Sequence, residues 1–200
     1  MNIVARLVQM FRDLFGWLRA HPGLLLLALM IAMLLVLGRG SALLVTGEAP
    51  LGGRSLQQPD SAAEVTAILN SWQTRDALDH ARRHIKIDFA FILVYVVFFA
   101  YVCRWLGRRL AEFGVPQLRW GAPWGVAASI AAGILDTLEN VGMLSLIANH
   151  GAAVSQTTIQ LVYWCAAAKY LLLALVIVLI WLMDVRRMNA RVTLPRSSSR

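Results

Sequence analysis

The chain has 200 residues, of which 58% are hydrophobic and 15% charged, and it carries a formal net charge of +8. A soluble domain is charged at about a quarter of its positions and apolar at about half, so this composition points to an integral membrane protein. The two cysteines form no CxxC, which argues against a thiol–disulfide relay, and no HExxH, GxSxG or Walker lysine loop is present.

Residues 1–22 contain IVARLVQMFRDLFGWL, with Ile3, Leu7, Phe11, Leu14 and Leu18 at helical spacing and Arg6, Gln9 and Asp13 between them. This predicts an amphipathic helix in the cytoplasmic interface, ended at His21-Pro22-Gly23. Residues 23–38 form the first span, at the short end of what a bilayer requires, with Arg39 free to extend to the headgroups. GRGSALL offers no convincing small-x-small cleavage site, so this helix is expected to remain uncleaved.

The connection from 39 to 86 changes character at Ser61. Residues 41–60 are rich in Gly, Pro and Ser and read as irregular, whereas Ser61 followed by Glu64 has the spacing of a capping box and opens an amphipathic helix over about 61–84, with a break near Ser71 or a continuation into the second span both open to it. Asp76, His80, His84 and Asp88 then recur every four residues. On a continuous helix they form one stripe, and His80 and His84 can share a divalent metal, the one cofactor the sequence suggests. The same stripe also reads as surface acid–base pairing with the interleaved Arg82 and Arg83.

Three longer apolar runs follow, at 87–106, 123–148 and 159–183, separated by a basic loop (107–122) and a short loop without Lys or Arg (149–158). The fold class is therefore an all-α, four-transmembrane-helix bundle with an N-terminal interfacial helix and a partly helical loop before the second span. Arg6, Arg12 and Arg19, then Arg104, Arg108, Arg109 and Arg119, then Arg186, Arg187, Arg191, Arg196 and Arg200 all fall on one side of this arrangement. The positive-inside rule makes that side cytoplasmic, with both termini there, as in a bacterial inner membrane. The basic residues flank spans, which suits anionic lipid headgroups and does not suit nucleic acid. Trp17, Trp105, Trp120, Trp124 and Trp181 read as interfacial anchors, and Phe91, Tyr95, Phe98 and Phe99 as an aromatic ridge on the second span.

The third span carries Asp136, Glu139 and Asn140 at i, i+3 and i+4, and the fourth places Lys169 at nearly the same depth. A charge at the bilayer centre costs ~2.5–3.5 kcal/mol on insertion scales, so these groups are expected to face inward and pair. With Asp88, three carboxyls meet one ammonium; the excess calls for a proton, for Arg83, His84 or Arg39 reaching down, or for a bound cation or cationic ligand. The sequence thus nominates Asp136, Glu139 and Lys169 as acid, base and electrostatic clamp, and Asn140, Tyr95, Asp88 and Arg83 as ligand-binding groups.

Three functions fit this pattern. One is a buried site, open to the outer side, that binds or processes a lipid or other amphiphile. Another is an accessory subunit of a membrane complex whose buried charges specify packing. The third is a proton- or cation-coupled carrier acting as a homo-oligomer, because four helices are few for a complete pathway.

Overall fold

The structure, a computed structural model, describes Arg12 and residues 21–113 and 120–193, with side chains through 190. Most of the interfacial helix expected over 1–22, Trp17, Arg119 and residues 194–200 of the basic tail lie outside the described residues. Five α-helices and one 3₁₀ segment are present, and no strand occurs among the described residues: α1 (Pro22–Ala42), the 3₁₀ segment (Gly52–Gln57), α2 (Ala62–Gln73), α3 (Leu78–Glu112), α4 (Gly121–Ala148) and α5 (Gln156–Thr193). Four of these, α1, α3, α4 and α5, are long and apolar enough to cross a membrane, and together they form the bundle.

The spanning helices exceed the runs that nominated them. At 1.5 Å per residue the 35 residues of α3 reach about 52 Å, against a hydrocarbon core of about 30 Å. The surplus of α3 includes His80 and His84, which the sequence places in the loop helix. Helix formation is interrupted before them: α2 stops at Gln73, Asp76 takes a left-handed φ of 55°, and the Ala77 N–H reaches the Trp72 carbonyl at 2.9 Å. This is a Schellman-type stop, and it corrects the continuous helix over 61–84. Asp76 is thereby removed from the stripe, which keeps only His80, His84 and Asp88.

The start of α2 follows the sequence signal, with the Ser61 hydroxyl accepting from the Glu64 N–H at 3.3 Å. Its apolar face, Val65, Ile68, Leu69 and Trp72, is buried against Leu44, Ala49 and Leu56 of the preceding loop and against Ile147 and Ile159 at the ends of α4 and α5. The Trp72 indole N–H donates to the Leu44 carbonyl at 2.8 Å, so the one polar atom of that side chain is satisfied within the core. A second apolar cluster, including Cys103, Leu106, Leu110, Ala128, Val176 and Met183, fills the opposite half of the bundle. Both cysteines are buried and unbridged.

The central helix is α4, which packs against α3 on one side and α5 on the other. Its small residues permit this. A methyl group on Gly133 would sit 2.5 Å from Val96 Cγ2 and 3.4 Å from Ile92 Cγ2, so the backbones of α3 and α4 approach closely only because no side chain intervenes there. By contrast α1 buries only Leu37; it packs on α3 and touches the 3₁₀ segment, and it shares no extended interface with α5 among the described residues.

The close approach at Gly133 has a measurable consequence. Gly133→Val should destabilise the bundle by about 1–3 kcal/mol, the usual cost of overpacking. Adding Val96→Ala should recover part of that loss, as read by thermal unfolding of the two variants in detergent.

Candidate functional site in the polar layer

Between the two apolar clusters lies a layer of buried polar side chains: Asp136, Glu139 and Asn140 from α4 and Lys169 from α5, none more than 5% exposed. Helical spacing puts the three α4 groups on the side that faces the bundle. The Lys169 ammonium stands 2.6 Å from Asp136 Oδ1 and 2.7 Å from Glu139 Oε2, bridging both carboxylates. The Tyr95 hydroxyl donates to the other Asp136 oxygen at 3.0 Å, and the Tyr95 ring is held between Phe91 and Phe99 by edge contacts with centroids 5.4 and 6.4 Å away. The nominated triad and Tyr95 are thus in direct contact.

The partner of the second Glu139 oxygen comes from a segment that the sequence leaves irregular. Gln57 Nε2 donates to Glu139 Oε1 at 2.7 Å; the Gln57 carbonyl accepts from the Tyr170 hydroxyl at 3.3 Å; and Tyr170 in turn accepts from Arg54 at 3.2 Å. Arg54 also lies over the Tyr170 ring, 5.6 Å from its centroid. A chain of polar contacts therefore runs from the exposed Arg54 to the fully buried Glu139. The 3₁₀ segment can dip into the bundle because it is tied to the end of α1, where the Gly53 N–H donates to Ser41 Oγ at 3.2 Å. It enters through Gly52 at φ +60°, where any β-carbon would run into the Ser41 carbonyl.

Arg54, not Arg83 or Arg39, is the arginine that reaches this network. Arg83 is exposed and does not line the cavity described below, and Arg39 is exposed as well. Thr137 is also outside the network: its hydroxyl returns to the Gly133 carbonyl of its own helix at 2.8 Å.

The remaining nominees form a second group. Asn140 Nδ2 donates to Asp88 Oδ2 at 2.8 Å, joining α4 to α3. Asn140 Oδ1 is buried with no hydrogen-bond partner among the described residues. His80 Nε2 lies 3.0 Å from the Gly40 carbonyl, and the His84 ring lies against Gly40 and Gly53, so the stripe packs on the end of α1 and the 3₁₀ segment. No group of three or more His, Cys, Asp or Glu side chains gathers as a metal site among the described residues.

A cavity of about 470 Å³ opens above this layer. Its polar floor is Asp88, Asp136, Asn140, Lys169 and Tyr95; Arg54, Gln57 and His84 stand at its rim. Met30, Leu34 and Leu37 of α1, Phe91 and Phe99 of α3 and Leu173 of α5 make its apolar wall. Both α1 and α5 line it, and they share no extended interface with each other among the described residues, which leaves a lateral seam between them. Glu139 is not part of the lining; Gln57 and Lys169 seal it from the cavity.

Comparison of the chain with protein-family models, with curated proteins and with solved structures gives no match.

Removing the buried ammonium that bridges Asp136 and Glu139 should be costly. Lys169→Met leaves Asp136 and Glu139 facing each other in a dry interior, and breaking a buried pair in this way costs about 3–5 kcal/mol. Chemical denaturation in detergent should show that loss. Asp136→Asn combined with Glu139→Gln in the Lys169→Met background should restore much of it, because no uncompensated charge then remains.

Proposed function

We propose that this membrane protein binds an amphiphile, a lipid or a molecule of similar form, with its head on the polar floor and its chain against α1 and along the lateral seam. The observation that carries the reading is the cavity itself: a concave space with convergent polar groups and apolar walls, lined by helices long and apolar enough to cross a membrane. Ligands of mixed polarity fit such a space without stranding a polar group in hydrocarbon.

The packing reading applies to part of the same layer. Asp136, Glu139 and Lys169 are satisfied by Tyr95, Gln57 and each other, which suits a device that sets helix register. Asp88 and Asn140, by contrast, retain acceptor capacity toward the cavity, and they are the better candidates for ligand contact. A role for Glu139 as a general acid or base receives no support from its sealed position. A continuous ion path is equally unsupported, because the cluster around Leu106, Leu110, Val176 and Met183 fills the other half of the bundle with apolar groups.

The arginine distribution supports an orientation with the arginine-rich ends of the helices in the cytoplasm and the cavity mouth on the outer side, as expected for a bacterial inner membrane. Those arginines also suit anionic lipid headgroups.

Mass spectrometry of the intact protein released gently from detergent tests the binding. The wild type should carry an adduct of lipid-like mass, and Leu34→Trp, which fills the cavity from α1, should largely remove it while leaving the bundle folded. If the wild type appears only as bare chain, or if both proteins carry the same adducts, the cavity is not a ligand site.

A further inference from the structure

Each donor group on the cavity floor already makes at least one contact within the protein. The Lys169 ammonium serves Asp136 and Glu139 and lies 5.1 Å from the centroid of the Tyr170 ring; the Tyr95 hydroxyl donates to Asp136; Asn140 Nδ2 donates to Asp88. Acceptor capacity is left over on two of the residues that line the cavity, Asp88 and Asn140. Asn140 is 0% exposed, and its Oδ1 is unpartnered among the described residues. Asp88 uses one carboxylate oxygen on Asn140, and its other oxygen has neither a hydrogen bond nor an ion pair there. The Asn140 amide is oriented by that contact, since a carboxylate requires the NH₂ side and so turns the amide oxygen away from it.

The charge points the same way. On the linked floor three carboxyls, Asp88, Asp136 and Glu139, face one ammonium, and Lys169 is committed to two of them. Arg54 is held on Tyr170, and His84 stands one helical turn from Asp88 against Gly53, so neither rim group pairs with Asp88 by contact. A buried acceptor without a donor costs free energy, and a half-buried carboxylate beside it attracts a cation that can also donate.

We infer that the head of the bound amphiphile carries a protonated amine, an ammonium whose N–H groups are accepted by Asp88 and by Asn140 Oδ1. This inference rests on the amphiphile reading above and narrows it to one head chemistry. A carboxylate or phosphate head placed on this floor would face the unpaired Asp88 oxygen, and the ammonium nearest to it, Lys169, is already shared between two carboxylates.

The test uses four probes in a neutral maltoside detergent: dodecylamine, dodecanol, dodecanoate and the short, water-soluble butylamine. Binding is read by thermal shift and titration on the full chain, and the amine-to-alcohol affinity ratio is compared between proteins, so that partition into micelles cancels. The wild type should bind dodecylamine about tenfold tighter than dodecanol, the advantage of a charge-assisted over a neutral hydrogen bond. Asp88→Asn, which keeps a partner for Asn140, and Asp88→Ser should both bring the ratio down to about one, the loss of the charge-assisted advantage, while Arg83→Ala should leave it unchanged. An unaltered ratio in both Asp88 variants, or a preference for dodecanoate, overturns the ammonium assignment and leaves the amphiphile reading intact. Butylamine binding as tightly as dodecylamine upholds the ammonium and overturns the amphiphile. Failure of all four probes overturns both.

Discussion

One ammonium placed between two carboxylates organises the membrane interior of this protein. Lys169 cannot lie in hydrocarbon without an anion, and Asp136 and Glu139 cannot lie together without a cation, so α4 and α5 have one rotational setting and one register in which all three are paired. Everything else around the layer follows from that setting. Asn140, one residue beyond Glu139, is turned toward α3 and Asp88; Tyr95 closes the second oxygen of Asp136; Gln57 enters from the loop to close Glu139. Apolar packing on both sides then needs only to be complementary, because the polar layer has already specified which faces meet.

Most of that layer is legible from residue spacing. Rise per residue gives depth and 3.6 residues per turn gives direction, so Asp136, Glu139, Asn140 and Lys169 can be brought together on paper, and Tyr95 and Asp88 follow from the second span. The same arithmetic fails where the chain leaves regular helix. Gln57 and Arg54 lie in a Gly-, Pro- and Ser-rich stretch with no period, and their position depends on Gly52 and on ties to Ser41 that only the folded chain creates. The expectation that Arg83 reaches the site treats the arginine nearest in sequence as nearest in space; on α3 it projects outward, and the arginine from the loop takes the position at the rim. The inclusion of Asp76 in the histidine stripe fails for a related reason. The left-handed residue at Asp76 ends one helix and lets the next begin after only four intervening residues, which local propensity does not announce at an aspartate.

The division of labour within the layer is also a matter of what each group has left to give. Side chains whose hydrogen-bonding capacity is exhausted hold helices together, and those with capacity remaining are available to a visitor. By that criterion the most buried acid, Glu139, belongs to the architecture, and the less buried Asp88 belongs to the cavity. Depth of burial by itself ranks them in the opposite order.

The polar layer bears as well on how the chain enters the bilayer during synthesis. The helices α1, α3 and α5 have mean hydropathies of 2.3, 2.2 and 2.4 over their most apolar stretches, against 1.4 for α4. A segment emerging alone with Asp136, Glu139 and Asn140 partitions poorly into lipid, and its counter-charge lies on the next helix to be made. Between them stands a loop of only seven residues, Asn149 to Ser155. Such a short tether keeps Lys169 near α4 from the moment it is synthesised, so the two helices are suited to leave the translocation channel as a pair, with the ion contact formed before either meets the lipid.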